Sequence, residues 1–204
     1  QSRPPGRSVI ATVWCYAQER WKNALMGPST DSLPAMPANP RRADLHQIVI
    51  VGGGAGGLEL ATRLGDKLGK RGRAAITLID KTRTHVWKPK LHEIAAGSMD
   101  IGEHEVDFLA QSHWHHFQYR IGEMIGLDRA RREVELAAFV DGEGEEVTPR
   151  RKFRYDTLVI AVGSQSNDFG TPGVNEHAMK LESLADARRF NRRLVNACIR
   201  AHAQ

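Results

Sequence analysis

Cysteine is nearly absent: 204 residues contain two, Cys15 and Cys198, near opposite ends. That excludes a disulfide framework, a CxxC redox pair and a Cys-rich zinc site, and makes a reducing compartment the default. Long apolar runs are also missing. A spanning helix needs roughly 18–20 such residues, and no stretch approaches that. The nearest is Val9 to Ala17 behind Arg3 and Arg7; Gln18, Glu19 and Arg20 follow where a signal peptide would carry its small-residue cleavage site. Charge of neither sign dominates, with 29 Lys plus Arg against 24 Asp plus Glu, a net +5 and a pI near 9.5. At 41% hydrophobic and 26% charged the composition is that of a globular protein, neither fibrous nor broadly disordered. The length suits one domain, or one domain with a tail, and leaves no room for two complete dinucleotide-binding domains plus a catalytic domain.

The first 45 residues differ from the rest. GPSTDSLPAMPANP, Gly27 to Pro40, carries four prolines among Ser, Thr, Asp and Asn, so an unpacked linker is expected there, with at best a loose helix over Val13–Leu25 before it. The first residue is Gln rather than Met, with Met26 and Met36 as candidate starts. Residues 1–45 are therefore expected to be a disordered or non-native extension.

Order is predicted from Gln47. Ile48, Val49, Ile50 and Val51 form a β-branched run ending in glycines, the pattern of a strand buried on both faces. Leu60, Leu64 and Leu68 are four apart within Gly57–Lys70, which is helical spacing, and Gly72 lies just past its end. Ala75–Asp80 is a second apolar strand, so residues 47–80 read as a β-α-β unit with a right-handed crossover. A short helix over His104–Ser112 follows. Three runs, Phe117–Leu127, Glu133–Val140 and Val147–Arg154, then suggest an antiparallel meander, and Leu158–Val162 a strand returning to the buried parallel sheet. Ser183 and Asp186 mark a capping-box start for a last helix, with Leu184, Ala187, Phe190, Leu194 and Ala197 on one face and Arg188, Arg189, Arg192 and Arg193 on a solvated face. The arginines are not read as a nucleic-acid surface.

Chemistry concentrates at Gly52-Gly53-Gly54-Ala55-Gly56-Gly57. Its G-x-G-x-x-G (Gly52, Gly54, Gly57) follows a strand and opens a helix, where glycines permit the turn, backbone approach to a pyrophosphate and close helix packing. The pyrophosphate would rest on the helix N-terminus. Asp80 ends the second strand, placed to accept a ribose 2′-OH and to repel a 2′-phosphate. Together these residues indicate an adenine dinucleotide site. His113, His115 and His116 around Trp114 lack an acid or Cys at ligand spacing, so no metal is expected. His92-Glu93 reads as a pair that orders a loop.

NAD and FAD share this fingerprint. The meander interrupting the β-α-β pattern and the returning Tyr155–Ser164 segment resemble the FAD domain of flavoproteins with two dinucleotide-binding domains. IVIVGGGAGGLELA, HVWKPKLHEIAAGSMD (His85–Asp100) and YDTLVIAVGSQSNDFGTPGV (Tyr155–Val174) together resemble the bacterial type II NADH dehydrogenases, the NADH:quinone oxidoreductases, over about Gln47–Ala203. The resemblance implies an α/β fold, a Rossmann-like parallel sheet with an antiparallel three-stranded meander, forming the N-terminal part of an FAD domain that ends in a connector helix. It implies FAD as cofactor, Lys88 near the flavin, the Met124 backbone at the adenine, and the Ala161–Gly163 turn beside the cofactor. With Lys81, next to the ribose acid, the cofactor-binding set becomes Gly52, Gly53, Gly54, Ala55, Gly56, Gly57, Asp80, Lys81, Lys88, Met124, Ala161 and Gly163. No protein base is needed for hydride transfer to a flavin, so no catalytic side chain is assigned. NADH and a quinone are the implied substrates, with the NADH site and the membrane-binding part outside this chain. A peripheral place on the cytoplasmic face of the bacterial inner membrane and a homodimer are further implications. Two alternatives stay open: a non-catalytic dinucleotide-binding module, and a different flavoprotein reductase such as a sulfide:quinone oxidoreductase. Disulfide reductases carry a Cys pair soon after the ribose acid, and Asp80–Gly170 holds no cysteine.

Overall fold

The computed structural model describes residues 44–100, 102 and 104–203. The expectations for the proline-rich segment and the helix over Val13–Leu25 lie outside the described residues. Strand β1 (His46–Val51) is buried from Ile48 to Val51, which is why that stretch tolerates no polar alternation. It runs into helix α1 (Ala55–Leu64), prolonged by one wider π-turn over Gly65–Gly69, and then strand β2 (Ala74–Asp80). The two strands pair in parallel from His46↔Ala74 to Val51↔Ile79, so the expected β-α-β unit is present. A Cβ at Gly65 or Gly69 would strike the backbone carbonyl of His115 or His116, so these glycines let the helix lie against that loop.

After β2 come the short strand β3 (Thr84–His85), a 3-10 turn at Lys88–Lys90 and helix α2 (Leu91–Ala96). Strand β4 (Val106–Asp107) pairs antiparallel with β3 where helix was expected, so helix α3 (Phe108–Trp114) starts four residues later and ends two residues later than the sequence suggested. Asp107 caps α3 by accepting from the Ala110 N–H at 2.9 Å. Strands β5 (Gln118–Ile121), β6 (Met124–Asp128), β7 (Glu133–Leu136), β8 (Phe139–Val140), β9 (Glu146–Thr148), β10 (Arg151–Arg154) and β11 (Thr157–Ile160) follow, then the short helix α4 (Val174–His177) and the long helix α5 (Leu184–His202).

The parallel sheet has the order β11-β1-β2-β5 and the antiparallel one β10-β7-β6, so the architecture is the expected Rossmann-like sheet plus a three-stranded meander. Its membership corrects the reading of all three runs: Glu133–Val140 is divided after Leu136, β7 joining β6 and β10 in the meander while β8 pairs with β9 in a separate hairpin. Phe117–Leu127 is split at Gly122: β5 stays in the parallel sheet beside β2, and only β6 enters the meander. Val147–Arg154 is split at Pro149, which cannot donate to a ladder; β9 pairs with β8 and β10 with β7.

The returning strand β11 does join β1, in register Ile48↔Thr157 to Val51↔Ile160. Asp156 sets that register, accepting the Gln47 N–H at 2.8 Å on its carboxylate while its own N–H donates to the Gln47 carbonyl at 2.9 Å. It is an edge strand, however, and Ile160 is half exposed, so its unbroken apolar run does not signify burial. Val49, Val51 and Ile79 pack with Val134, Leu136 and Tyr155, a single core that ties the two sheets together. A second cluster joins Leu91, Ile94 and Ala95 of α2 to Ala187 of α5. The α5 capping box forms as expected between Ser183 and Asp186. The apolar face expected along that helix is engaged only at its start: Ala187 is buried, whereas Phe190 and Leu194 are exposed beside the four solvated arginines.

Candidate functional site

The glycine loop sits at the carboxyl ends of β1, β2 and β11, where open α/β sheets present their ligand crevice. Three of its glycines have distinct reasons in the structure. Gly52 has φ +104°, its N–H donates to Ile79 O at 2.8 Å, and a Cβ there would collide with the Ala161 carbonyl. Gly57 faces the Gly52 carbonyl so closely that a Cβ would overlap it, with the Ala161 Cβ next in line at 3.4 Å; the turn itself, more than strand packing, demands this glycine. Gly53 lies on the buried ring of Phe108 and admits no side chain.

Gly54 and Gly56 are different. A Cβ at either meets nothing within 4 Å, so no protein contact requires glycine there. Gly54 is the N-cap of α1, with φ −61° and no side-chain hydrogen bond to the first turn. The result is a helix N-terminus with no side-chain cap, opening onto unfilled space beside a walled glycine turn. Such an end, with outward N–H groups and the positive pole of the helix dipole, suits a diphosphate. A dinucleotide therefore fits what the loop leaves open.

Asp80 ends β2 and holds that loop. Its Oδ2 accepts the Gly53 N–H at 2.5 Å, and its Oδ1 accepts the Thr82 N–H at 2.8 Å and lies 2.7 Å from Thr82 Oγ1. Lys81 beside it is exposed. Met124 begins β6, two residues past Gly122, whose N–H donates to the Asp80 carbonyl at 2.9 Å; the start of the meander thereby abuts the acid. Ala161 continues β1–β11 pairing by donating its N–H to Val51 O at 2.7 Å, and Gly163 follows with φ +76°. Lys88 reaches the same turn: its Nζ donates to the Ser164 carbonyl at 3.3 Å and pairs with Glu182 at 3.2 Å. Glu182 in turn accepts the Ser166 N–H at 2.5 Å. Its hydrogen bonds to Ser166, and then to Lys88, hold its carboxyl at about 2, well below the usual carboxylate range. The twelve residues singled out in the sequence thus fall around one sheet edge: the glycine loop, Asp80 and Ala161 meet directly, and Lys88 and Met124 join through Ser164 and Gly122.

Four residues beneath the loop had no sequence signal as a group. The Phe108 ring stacks 5.2 Å from Tyr119 and 6.4 Å from His85. Tyr119 donates its hydroxyl to the Thr82 carbonyl at 2.5 Å. Burial, then the Asp80 charge, push the Tyr119 phenol above its usual range, so it remains a donor. His85 is buried, and burial pushes its imidazole below the usual histidine range against the Asp80 charge and a hydrogen bond with the Gly53 backbone, which act the other way. Only Thr82 was legible in principle, since an Asp followed two residues later by Thr favours a side-chain-to-backbone turn. Of the histidines near Trp114, His115 engages Asp66 at 3.1 Å, and His113 packs edge-on against Trp114. His92 and Glu93 lie on α2, where Glu93 faces Lys90 at 3.8 Å.

The sequence pattern of the pyridine nucleotide-disulphide oxidoreductases matches residues 46–201. The type II NADH:quinone oxidoreductase of Haemophilus influenzae is 46% identical over 151 residues, covering 74% of this chain and 34% of that protein. The type II NADH:quinone oxidoreductase NdhA of Mycobacterium tuberculosis is 30% identical over 153 residues, covering 74% of this chain and 30% of that protein. The chain thus spans about a third of the length of the curated relatives it matches. Among solved structures, NDH2 of Plasmodium falciparum aligns with a TM-score of 0.63 at 20% identity, over 78% of this chain and 30% of that one. The sulfide:quinone oxidoreductase of Aquifex aeolicus aligns at 0.58 and 22%, over 74% and 32%. At these identities the structural likeness speaks to the fold alone. From the sequence match over residues 46–201, the chain belongs to the pyridine nucleotide-disulphide oxidoreductase family.

Proposed function

We propose that this chain forms the first part of the FAD domain of a type II NADH:quinone oxidoreductase, with residues 46–204 as that part and residues 1–45 as an extension. One observation carries the cofactor assignment: the α1 N-terminus has no side-chain cap and faces open space at Gly54, while Gly52, Gly53 and Gly57 are walled by Ala161, Phe108 and the turn itself. The 46% identity to the Haemophilus influenzae protein supports the enzyme class.

In this reading the loop N–H groups and the α1 dipole bind the pyrophosphate of FAD, and Asp80 accepts a ribose hydroxyl. The Asp80 charge disfavours a phosphorylated ribose. Lys88, held by Ser164 and Glu182, places a positive charge beside the Ala161–Gly163 turn. Bound FAD supplies the two-electron carrier between a nicotinamide and a quinone, while the protein binds and orients it. NADH and a membrane quinone are the proposed substrates. A peripheral position on the cytoplasmic face of the bacterial inner membrane and a homodimer complete the proposal; among the described residues no helix is long and apolar enough to cross a membrane. The sulfide:quinone alternative draws on fold likeness alone and is not favoured.

Titrating the chain with FAD tests this, followed by flavin fluorescence. Saturable one-to-one uptake is expected, weakened in Asp80→Ala by the loss of a charge-assisted hydrogen bond worth about 1.5–3 kcal/mol. Equal affinity for FAD in the two proteins would remove Asp80 from the site.

A further inference from the structure

We propose that Thr82 is a positioning residue that, backed by Tyr119, fixes the Asp80 carboxylate so that it offers a single acceptor position to the ribose. The proposal rests on the reading of Asp80 above and deepens it.

A carboxylate has about four lone-pair sites. Among the described residues three donors meet that of Asp80: the Gly53 N–H at 2.5 Å on Oδ2, and the Thr82 N–H at 2.8 Å and hydroxyl at 2.7 Å on Oδ1. One site is left for a ligand. The Thr82 hydroxyl carries one proton and also lies 3.0 Å from the Thr84 carbonyl, but the charged, nearer oxygen is the stronger acceptor. With donors on both oxygens, rotation of the carboxylate would break bonds at either end.

Thr82 is itself exposed, and an exposed residue in a loop between strands needs a reason to hold still. Tyr119 provides it, donating to the Thr82 carbonyl at 2.5 Å from the next strand of the parallel sheet, where its ring is clamped against Phe108. Phe108 also forms the floor under Gly53 and ties back to the same loop through its N–H on the Arg83 carbonyl at 3.2 Å. Gly53, Asp80, Thr82, Tyr119 and Phe108 therefore close a ring of contacts. The loop after β2 sets the rotamer of the acid, and the acid sets the glycine turn.

The test is a double-mutant cycle read by FAD affinity in the 204-residue chain. Thr82→Val keeps the shape and removes the hydroxyl; the expected result is about three- to tenfold weaker FAD binding. Thr82→Ser restores the hydroxyl and should bind within about twofold of the wild type. Because Thr82 acts through Asp80, Thr82→Val in an Asp80→Ala background should cost nothing further. The melting temperature without FAD reports any purely structural effect, and the cycle separates the two because loss of fold weakens binding in both backgrounds. An unchanged affinity in Thr82→Val, or the same loss with and without Asp80, overturns the proposal. Equal FAD affinity in Asp80→Ala and wild type overturns the parent reading instead.

Discussion

Glycines in one loop separate into those the protein's own packing requires and those it leaves free to carry a side chain. A side chain at Gly52 meets the Ala161 carbonyl with φ at +104°, whereas a side chain at Gly54 enters open space from an ordinary φ of −61°. Gly52→Ala should thus lose stability, about 1–3 kcal/mol for the backbone conformation alone and more for the clash. Gly54→Val should melt within a few degrees of wild type but lose FAD, because the branched side chain fills the place of the pyrophosphate. Thermal unfolding without FAD, set beside FAD titration, distinguishes the two. His85 gives a second expectation. Its imidazole is neutral in the fold and titrates below the usual value near 6.5, so the unfolded chain binds the proton first. Stability is then full above about pH 6.5 and falls as pH drops toward the folded value. Urea midpoints from pH 8 to 5 should fall less steeply in His85→Gln than in the wild type. The motif residues were legible because their spacing along one β-α-β unit fixes their place. Thr82 was legible only as part of a local Asp-x-Thr turn; Phe108 and Tyr119 were not, because separate elements bring them against that turn and no local pattern records the meeting.

Elements repeat this division. β1 and β2 follow from short unbroken apolar runs and α1 from a four-residue leucine spacing, and the Ser183–Asp186 box marked the start of α5 from four residues. The boundary between β5 and β6 was illegible because both have strand composition. What differs is the sheet each joins, and that depends on β2 and β7. The split at Pro149 was legible, and reading Val147–Arg154 as one strand overlooked it. Burial of β11 was misread since an apolar run cannot distinguish a covered strand from an edge strand. The tie between the two sheets is the part most open to mutation. Leu136→Ala empties a fully buried position in the cluster that includes Val49, Val51 and Ile79, at an expected cost of about 2–5 kcal/mol. Val147→Ala, in the exposed β8–β9 hairpin, should stay within about 0.5 kcal/mol. Urea denaturation of the two variants compares a joint between sheets with an appendage.

At the scale of the whole molecule, one sheet edge gathers the residues that local pattern and family resemblance named separately. Parallel pairing of β1 with β2 and β11 carries the glycine turn, Asp80 and Ala161 to the same end, and β5 and β6 bring Gly122 against the acid. Composition had no bearing on this arrangement: a near-balanced charge and an average apolar content fit many folds. Topology does the positioning, and it follows from three connections, β1 to β2, β2 to β5 and β5 to β11, that return the chain to the same parallel sheet. The account stands on a dinucleotide occupying that edge, with its pyrophosphate on the α1 N-terminus. Backbone amide shifts of the isotopically labelled chain on addition of FAD test this most directly. The account predicts that the largest changes fall on Gly54–Gly57, with further changes at Gly53, Asp80, Ala161 and Gly163. Saturating FAD that leaves those amides in place while others move would contradict it.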